Sequence, residues 1–489
     1  MKTDDSNIKI EAKSFYLAVL IILGLMIVSG ILTRVLPSGE YDRISSEGRT
    51  LVVNGSYHQI SKPSYPVWRW FTAPVEVLFG PDSLTPIVLI VFFMIVGGSI
   101  MILDRAGVMK ALVVFLVTRF AKRKYTLVVV LIFFFMATAS FVGMYEEMVP
   151  LIIFIIPIAI SLGWDSLTGL GMSLLPMAFG FAAAVTNPFT IAVAQRIANL
   201  PLFSGALLRL LFFTVIFLLV CFFVIRHAKK VEKNPRSSIC YKEDEALRQK
   251  LLASGNSPGL PTLDTPPTKG QWQGLIWFAS CIAIAMFFAV ASSRVPAITD
   301  LAFPVLALMF LIGGIGGGAF PGFNAAQILK AFGRGVVNFL PGILLVLMAY
   351  SVKHIISTGM IMDTILFRAA ELISQASSMA AAFLVYAATL VMEFFIGSAS
   401  AKAFLLMPLL TPLADLVGIT RQTAVLAFNF GDGFSNVIFP TNALLLIALS
   451  FSVVSYAKWI RWTWKLQIIV LAVTSAFLAI AVKTGYGPF

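Results

Sequence analysis

From Phe15 to the C-terminus, apolar stretches of about 20 residues follow one another, each long enough for a helical crossing of a bilayer core. A soluble domain would carry about 25% charged residues. This chain carries 12% charged and 59% hydrophobic residues over 489 positions, which excludes that class. The fold expected is an all-α polytopic membrane protein.

The formal charge of +13, from 36 Lys+Arg against 23 Asp+Glu, raises the question of a nucleic-acid partner. The basic residues sit beside the apolar spans, as in Arg119, Lys122, Arg123 and Lys124, then Arg226, Lys229, Lys230 and Lys233. Membrane topology explains that placement, and no nucleic acid is expected. Cys221, Cys240 and Cys281 are too scattered for a disulfide framework, and with His58, His227 and His354 far apart no metal or haem site is expected. The first span is followed by Arg34 and Pro37 rather than a small-residue cleavage site, so it reads as a retained helix with a cytoplasmic N-terminus.

Two hydrophilic insertions divide the chain: residues 37–83, with Arg43, Arg49, Lys62 and Arg69, and residues 227–271, with eight Lys/Arg. The basic excess places the second in the cytoplasm. Its SGNSPGLPTLDTPPTKG run (254–270) has the composition of a flexible linker. The division expected is an N-terminal helix and external loop (1–83), a first repeat (84–226), a cytoplasmic linker (227–271), connecting helices (272–335) and a second repeat (336–489).

Self-similarity supports those repeats. Thr186-Asn187 matches Thr441-Asn442 at an offset of 255 (441 − 186), and Pro157 and Gly163 match Pro412 and Gly418 at the same offset. Phe141-Val142-Gly143 aligns with Phe395-Ile396-Gly397 at 254, one residue of slack. Within each repeat an apolar segment is interrupted in its middle, by GMYEEMVP (143–150) and by GSASAKAF (397–404). Both read as re-entrant hairpins, the first entering from the cytoplasm and the second from outside, since irregular backbone at membrane depth survives only where protein or a cavity covers it. Full crossings at 15–33, 84–103, 167–200, 205–226, 272–291, 301–319, 336–356, 422–457 and 464–483 make nine. They put the basic clusters at 119–124, 226–250, 330–334 and 458–465 on the cytoplasmic side and give the repeats opposite orientations. Residues 107–120 and 359–373 are too short to span comfortably and are placed along the surface, where Lys353, His354, Asp363, Arg368 and Glu371 read as interfacial.

Two spans exceed one unbroken crossing and contain breakers, FGFAAAVTNPFT (179–190) and NFGDGFSNVIFPTN (429–442), so each is expected to be discontinuous. A broken helix offers N–H groups from one half and carbonyls from the other, the means by which ions and solutes are held at mid-membrane; an ordinary proline kink is the alternative. The binding candidates are Gly143, Glu146 and Glu147 at the first tip, and Thr186, Asn187 and Pro188 in the first broken helix. Ser398, Ser400 and Lys402 join them from the second tip, with Asp432, Ser435, Asn436, Thr441 and Asn442 from the second broken helix. An acid at mid-bilayer costs about 2.5–3.5 kcal/mol or more. Glu146 and Glu147 therefore read as a proton site, a cation ligand or a counter-charge for a cationic substrate, against a hydrated or structurally paired alternative. Lys402 reads as an internal cation or a contact for a substrate carboxylate, against a structural pair with Glu393 or Asp432.

GMYEEMVPLIIFIIPIAISLGWDSLTG with AVTNPF, and MPLLTPLADLVGITRQTAVLAFNFGDGFSNVIFPTNALLL (407–446), resemble the two halves of the YfcC-type carriers. These are a branch of the DcuC-like C4-dicarboxylate carrier and basic amino acid antiporter group in the ion transporter superfamily. The resemblance covers most of the chain outside the two insertions. It implies an elevator-type transporter, dimeric, with two hairpins and two broken helices around the substrate. The pattern departs at Lys402, where this branch has a neutral Ser-, Gly- and Gln-rich tip, and that puts a sodium site there in doubt.

The function expected is secondary active transport of a small amino acid or related organic ion, as in a basic amino acid antiporter, coupled to H⁺ or Na⁺ or proceeding by exchange. Glu146, Glu147, Glu393 and Asp432 against Lys402 leave three formal negatives, which favours a cationic or zwitterionic solute. The alternatives are a C4-dicarboxylate carrier and a passive channel. No Ser/His pair, metal cluster or GxxxxGK[ST] motif points to an enzyme or to direct use of ATP.

Overall fold

The computed structural model describes residues 12–46, 49–80, 83–245, 266–292 and 301–487. Backbone groups in hydrocarbon must be satisfied within their own segment, and the apolar runs accordingly form helices. In chain order they are α1 (Ala12–Val35), α2 (Arg69–Glu76), α3 (Leu84–Arg105), α4 (Val108–Phe120), α5 (Lys124–Ala137), α6 (Ile152–Ser161), α7 (Ser166–Ala183), α8 (Ile191–Ile197) and α9 (Ala206–Lys233). The second half supplies α10 (Lys269–Ser292), α11 (Ala302–Ala319), α12 (Ala325–Thr358), α13 (Met362–Ser374), α14 (Ser378–Glu393), α15 (Ala399–Leu416), α16 (Arg421–Gly433), α17 (Ala443–Ser450) and α18 (Tyr456–Thr484).

The helix order of α3–α9 parallels that of α12–α18. The correspondence extends to individual hydrogen bonds at the offset of 255. After α6, Gly163 turns the chain at φ +87° and Trp164 N–H bonds Ala159 O at 3.0 Å. After α15, Gly418 does the same at φ +70°, and Ile419 N–H bonds Ala414 O at 3.0 Å. Both are left-handed helix endings that favour glycine. Asp165 then caps α7 by accepting from Thr168 N–H, and Thr420 (165 + 255) caps α16 by accepting from Thr423 N–H.

Nine helices among the described residues are long and apolar enough to cross a membrane: Phe15–Val35, Leu84–Arg105, Lys124–Val142, Ser166–Ala183, Ala206–Lys233, Lys269–Ala289, Ala325–Thr358, Ala399–Leu416 and Tyr456–Thr484. The number agrees with expectation, but the membership differs. Two hairpin arms, Lys124–Val142 and Ala399–Leu416, have the required length, whereas the 422–457 segment is divided into α16 and α17. Helix α12 begins well before residue 336, because Asn324 and Gln327 form a reciprocal capping box that starts it at Ala325.

Packing sorts the helices into two groups. Helices α1, α2, α3, α10, α11 and α12 pack on one another, while α5–α9 interlock with α14–α18. Helix α4 touches α3 and α10 on one side and α5 and α6 on the other; α13 packs on α14 and α15; and α12 meets α17.

The outer insertion is folded rather than a plain loop. Its strands β1 (Gly39–Glu40), β2 (Arg43–Ser46), β3 (Arg49–Val52) and β4 (His58–Gln59) form two antiparallel pairs, β1 with β4 and β2 with β3. This insertion covers α13: Arg43 pairs with Asp363 at 2.7 Å, Tyr41 N–H donates to Asp363, and Tyr57 stacks on Phe367. Asp363, expected at an interface, is therefore buried, while Arg368 and Glu371 stay exposed as an ion pair.

The start of the second insertion is also structured. Asp244 accepts from Ser166 N–H and Oγ, Ser238 donates to Asp165, and Lys458 pairs with Glu243. Residues 254–265 of the expected flexible linker lie outside the described residues.

Candidate binding site

Both discontinuities are present. Helix α5 runs through a wider π turn (Thr138–Val142) to Gly143, at φ +82°, and the chain resumes as a 3-10 turn (Glu146–Leu151) leading into α6. A Cβ on Gly143 would lie 2.5 Å from Asn187 Oδ1, so glycine is required there for space as well as for its dihedral angle. Helix α7 stops at Ala184, a non-glycine residue held at φ +37°, and α8 starts after the Thr186-Asn187-Pro188 break. In the second repeat α14 and α15 are separated by residues 394–398, and α16 gives way to a 3-10 turn (Phe434–Val437) before α17.

Hydrogen bonds join the first hairpin to the first broken helix. Val185 N–H donates to Ser140 Oγ at 3.1 Å, Thr186 Oγ1 to Phe141 O at 3.0 Å and Asn187 Nδ2 to Ala139 O at 3.2 Å. Ser400, from the second hairpin, donates to Phe189 O at 2.8 Å and so reaches across to the first repeat. The broken helices also touch directly: Asn429 Nδ2 bonds Ala182 O at 2.5 Å, and a Cβ on Gly433 would fall 2.1 Å from Ala182 Cα.

At this crossing lie the charges. Lys402, in the first turn of α15, is wholly buried; it forms ion pairs with Glu393, at the end of α14, and with Asp432, in α16, the latter at 2.6 Å. The expected convergence of these three side chains is observed. Glu147 is buried with Oε2 lacking a hydrogen-bond partner, as does the hydroxyl of its neighbour Tyr145. Glu146 is half-buried and lies within electrostatic range of Glu147, Asp432, Tyr145 and Tyr350. Tyr350 in turn lines a cavity of about 160 Å³, together with Val77, Gly80, Pro86, Lys353, His354, Ser357 and Thr358.

The neutral candidates divide by what they already bind. Ser435 Oγ donates to Gly431 O, and Asn436 Nδ2 to Asp432 O and Gly433 O, so these two brace the end of α16. Asn442 donates to Asn436 Oδ1 and caps α17, Ser398 caps α15, and Pro188 lies in the first break, partly buried. The Thr441 hydroxyl is buried with no hydrogen-bond partner.

Several residues escape sequence reasoning. Tyr145, Thr190 and Asn429 carry buried polar atoms without a hydrogen-bond partner beside the expected candidates. Arg209, fully buried, donates to Ala184 O at 3.2 Å and Val185 O at 3.1 Å, satisfying carbonyls freed where α7 breaks. Its signal is an arginine near the start of an otherwise apolar span. At the other end of α7, Asp165 accepts from Ser238 and His227, and His227 Nδ1 accepts from Trp462 Nε1–H, which leaves Nε2 to carry the proton toward Asp165. Burial alone would push Asp165 up; hydrogen bonds from His227, Ser238 and Thr168 outweigh it and bring its pKa down to about 2.

Residues 15–483 match the DcuC family, described as the C4-dicarboxylate anaerobic carrier. The chain is 31% identical over 385 residues to the candidate basic amino acid antiporter YfcC of Escherichia coli (strain K12), covering 77% of this chain and 74% of that one. It is 24% identical over 439 residues to an uncharacterized protein of Haemophilus influenzae, covering 89% and 82%. Among solved structures it is similar to the YdaH transporter of Alcanivorax borkumensis (TM-score 0.42, 16% identity, 97% of this chain and 99% of that one). It is also similar to MtrF of Neisseria gonorrhoeae, from a class of antimetabolite efflux pumps (TM-score 0.43, 18% identity, 96% and 95%). With a family match across nearly its whole length and helices of membrane-spanning length throughout, the chain is an integral membrane protein of the DcuC family of carriers, a transporter rather than an enzyme.

Proposed function

We propose that this protein is a secondary active transporter of the elevator type that moves a small cationic or zwitterionic amino acid, or a related organic ion, across the cytoplasmic membrane. The observation that carries this reading is the crossing of two broken helices and two interrupted hairpins around four carboxylates and one ammonium. Such breaks hold solutes through backbone dipoles and polar side chains. The acidic excess there suits a solute bearing positive charge, in keeping with the name carried by YfcC.

The two packing groups supply the mechanical parts. Helices α5–α9 with α14–α18 would move as the carrier, against a frame of α1–α3 and α10–α12, with α4 and α13 as connecting arms. In this arrangement the repeats run in opposite directions, both hairpins are re-entrant, and the basic clusters and N-terminus face the cytoplasm. The family resemblance supports a homodimer. Glu146, Glu147, Thr441 and the polar groups around Asn187 and Asn442 are the solute ligands in this reading, with H⁺ or a counter-substrate as the driving partner.

A second reading, C4-dicarboxylate transport, is favoured by the family description and by Lys402 as a carboxylate partner. Uptake of labelled arginine or ornithine against succinate into proteoliposomes separates the two. Saturable uptake stimulated by internal arginine supports the first; succinate counterflow alone supports the second; linear, non-saturating flux of either solute would mean a passive channel.

A further inference from the structure

The offset that relates the repeats also relates Lys402 to Glu147, since 402 − 147 = 255. Equivalent sites in the two hairpins thus carry opposite charges. In the second repeat the ammonium sits in the first turn of a helix, where the dipole disfavours a cation, and it is held by carboxylates from two other broken ends, Glu393 and Asp432. In the first repeat the positions matching those two acids are Ala139 (393 − 254, the offset on that side of the hairpin tip) and Met177 (432 − 255), neither of which is charged. The charge lies instead on Glu147, at the place of the lysine, with Glu146 beside it. Among the described residues neither glutamate has a basic partner within ion-pair distance, and Glu147 Oε2 and Tyr145 Oη are buried without hydrogen bonds. One site therefore contains its own cation, and the other has the carboxylates for one.

We propose that the repeats form a pair of cation seats at equivalent positions, one filled permanently by the Lys402 ammonium and the other, at Glu147 with Glu146 and Tyr145, built for the ammonium or guanidinium group of a solute. This deepens the reading of the crossing as a solute site and rests on it. Buried carboxylates without a partner are unfavourable, so a cation entering the Glu147 seat gains where water is excluded. The tethered ammonium makes a dissociable metal cation unnecessary at the second hairpin.

The test needs no transported substrate. Thermal unfolding of the purified full chain in detergent is followed in ethylammonium chloride, sodium chloride and choline chloride at equal ionic strength, for wild type, Glu147→Gln, Lys402→Ala and the double variant. Wild type is expected to gain about 3 °C or more in ethylammonium over choline, the scale for a ligand above its Kd on a chain of this size, and nothing from sodium. Glu147→Gln loses that gain. Lys402→Ala melts earlier in choline and recovers in ethylammonium or sodium, a response that persists in the double variant because the emptied second seat is then the one being filled. Retention of the ethylammonium gain in Glu147→Gln, or a sodium gain in wild type, overturns the proposal even if Lys402→Ala fails to fold. Failure of amino acid uptake with these melting responses intact would instead overturn the transport reading alone.

Discussion

Asn187 and Asn442 make the same pair of hydrogen bonds 255 residues apart. Asn187 Oδ1 accepts from the N–H groups of Phe189 and Thr190 at 2.8 and 3.2 Å; Asn442 Oδ1 accepts from Leu444 and Leu445 at 3.0 and 3.2 Å. In the second case the amide caps α17, collecting donors the helix exposes where it restarts; in the first it closes the turn that leads into α8. Their Nδ2 groups face different partners, Ala139 O in one repeat and Asn436 Oδ1 in the other.

Alanine is expected to cost about 1–2 kcal/mol at Asn442 through loss of the cap, and about 1–2 kcal/mol at Asn187 through loss of the buried hydrogen bonds of its turn. Aspartate keeps the oxygen but loses the amide donor, so it should restore only part of that stability at each site. Thermal unfolding in detergent reads both. Wild-type melting of Asn442→Ala alongside a clear loss in Asn187→Ala would show that the second cap is dispensable and the equivalence only geometric.

The contact between the two broken helices is tight enough to be tested with one methyl group. A Cβ at Gly433 would overlap the Ala182 backbone, and, where α7 also packs on α5 of the first hairpin, one at Gly180 would lie 2.3 Å from Met136 O; backbone atoms cannot rotate away as a side chain can. Gly433→Ala and Gly180→Ala should each destabilise by about 1–3 kcal/mol, the range for overpacking. Gly24→Ala, with nothing within 4 Å of its added Cβ, serves as the control and should melt like wild type. Equal melting of Gly433→Ala and Gly24→Ala would contradict the close crossing, and equal melting of Gly180→Ala and Gly24→Ala the close packing of α7 on α5.

Much of this architecture is legible in the sequence because breakers are scarce in membrane helices and therefore informative. Gly163, Gly418 and the paired Thr-Asn steps mark matching turns in the two halves, and the acids of GMYEEMVP mark the place where the helix is interrupted. The polar cluster of Asp165, His227, Ser238 and Asp244 is not legible. Its members are ordinary polar residues at helix ends or in a hydrophilic insertion, and only folding brings residues 62 to 78 positions apart into contact. The same holds for Arg43 and Asp363, whose pairing over 320 positions turns an apparent loop into a cover for α13. Length and hydropathy likewise place helices without deciding which of them are divided.

Neutralising the first hairpin should separate function from folding. Gln at both Glu146 and Glu147 preserves shape and hydrogen-bonding capacity while removing charge, and it relieves the burial of an unpaired carboxylate. The double variant is expected to reach the membrane in wild-type amounts, melt no earlier than wild type and lose uptake of cationic amino acids to background in proteoliposomes. Turnover at the wild-type rate would make these acids bystanders.

The outer insertion offers a prediction about pH. The Arg69 guanidinium binds Glu76 at 2.6 Å, and Thr72 and His354 add hydrogen bonds. Arg69 is the main influence holding the Glu76 carboxyl well below its ordinary 4.5, at about 2, against the opposing effect of burial. A folded-state value below the unfolded one means that this cluster contributes its full stability above about pH 4.5 and loses it as the pH falls toward about 2. Glu76→Gln removes the charge at every pH. The melting difference between wild type and Glu76→Gln should therefore stay constant from neutrality down to about pH 5 and shrink steadily below about pH 4. Because the glutamate is partly exposed, raising the salt concentration should reduce the difference at neutral pH. A gap that widens on acidification would carry the wrong sign for a carboxylate stabilised in the folded state, and would rule out the Arg69–Glu76 pair as a stabilising brace along α2.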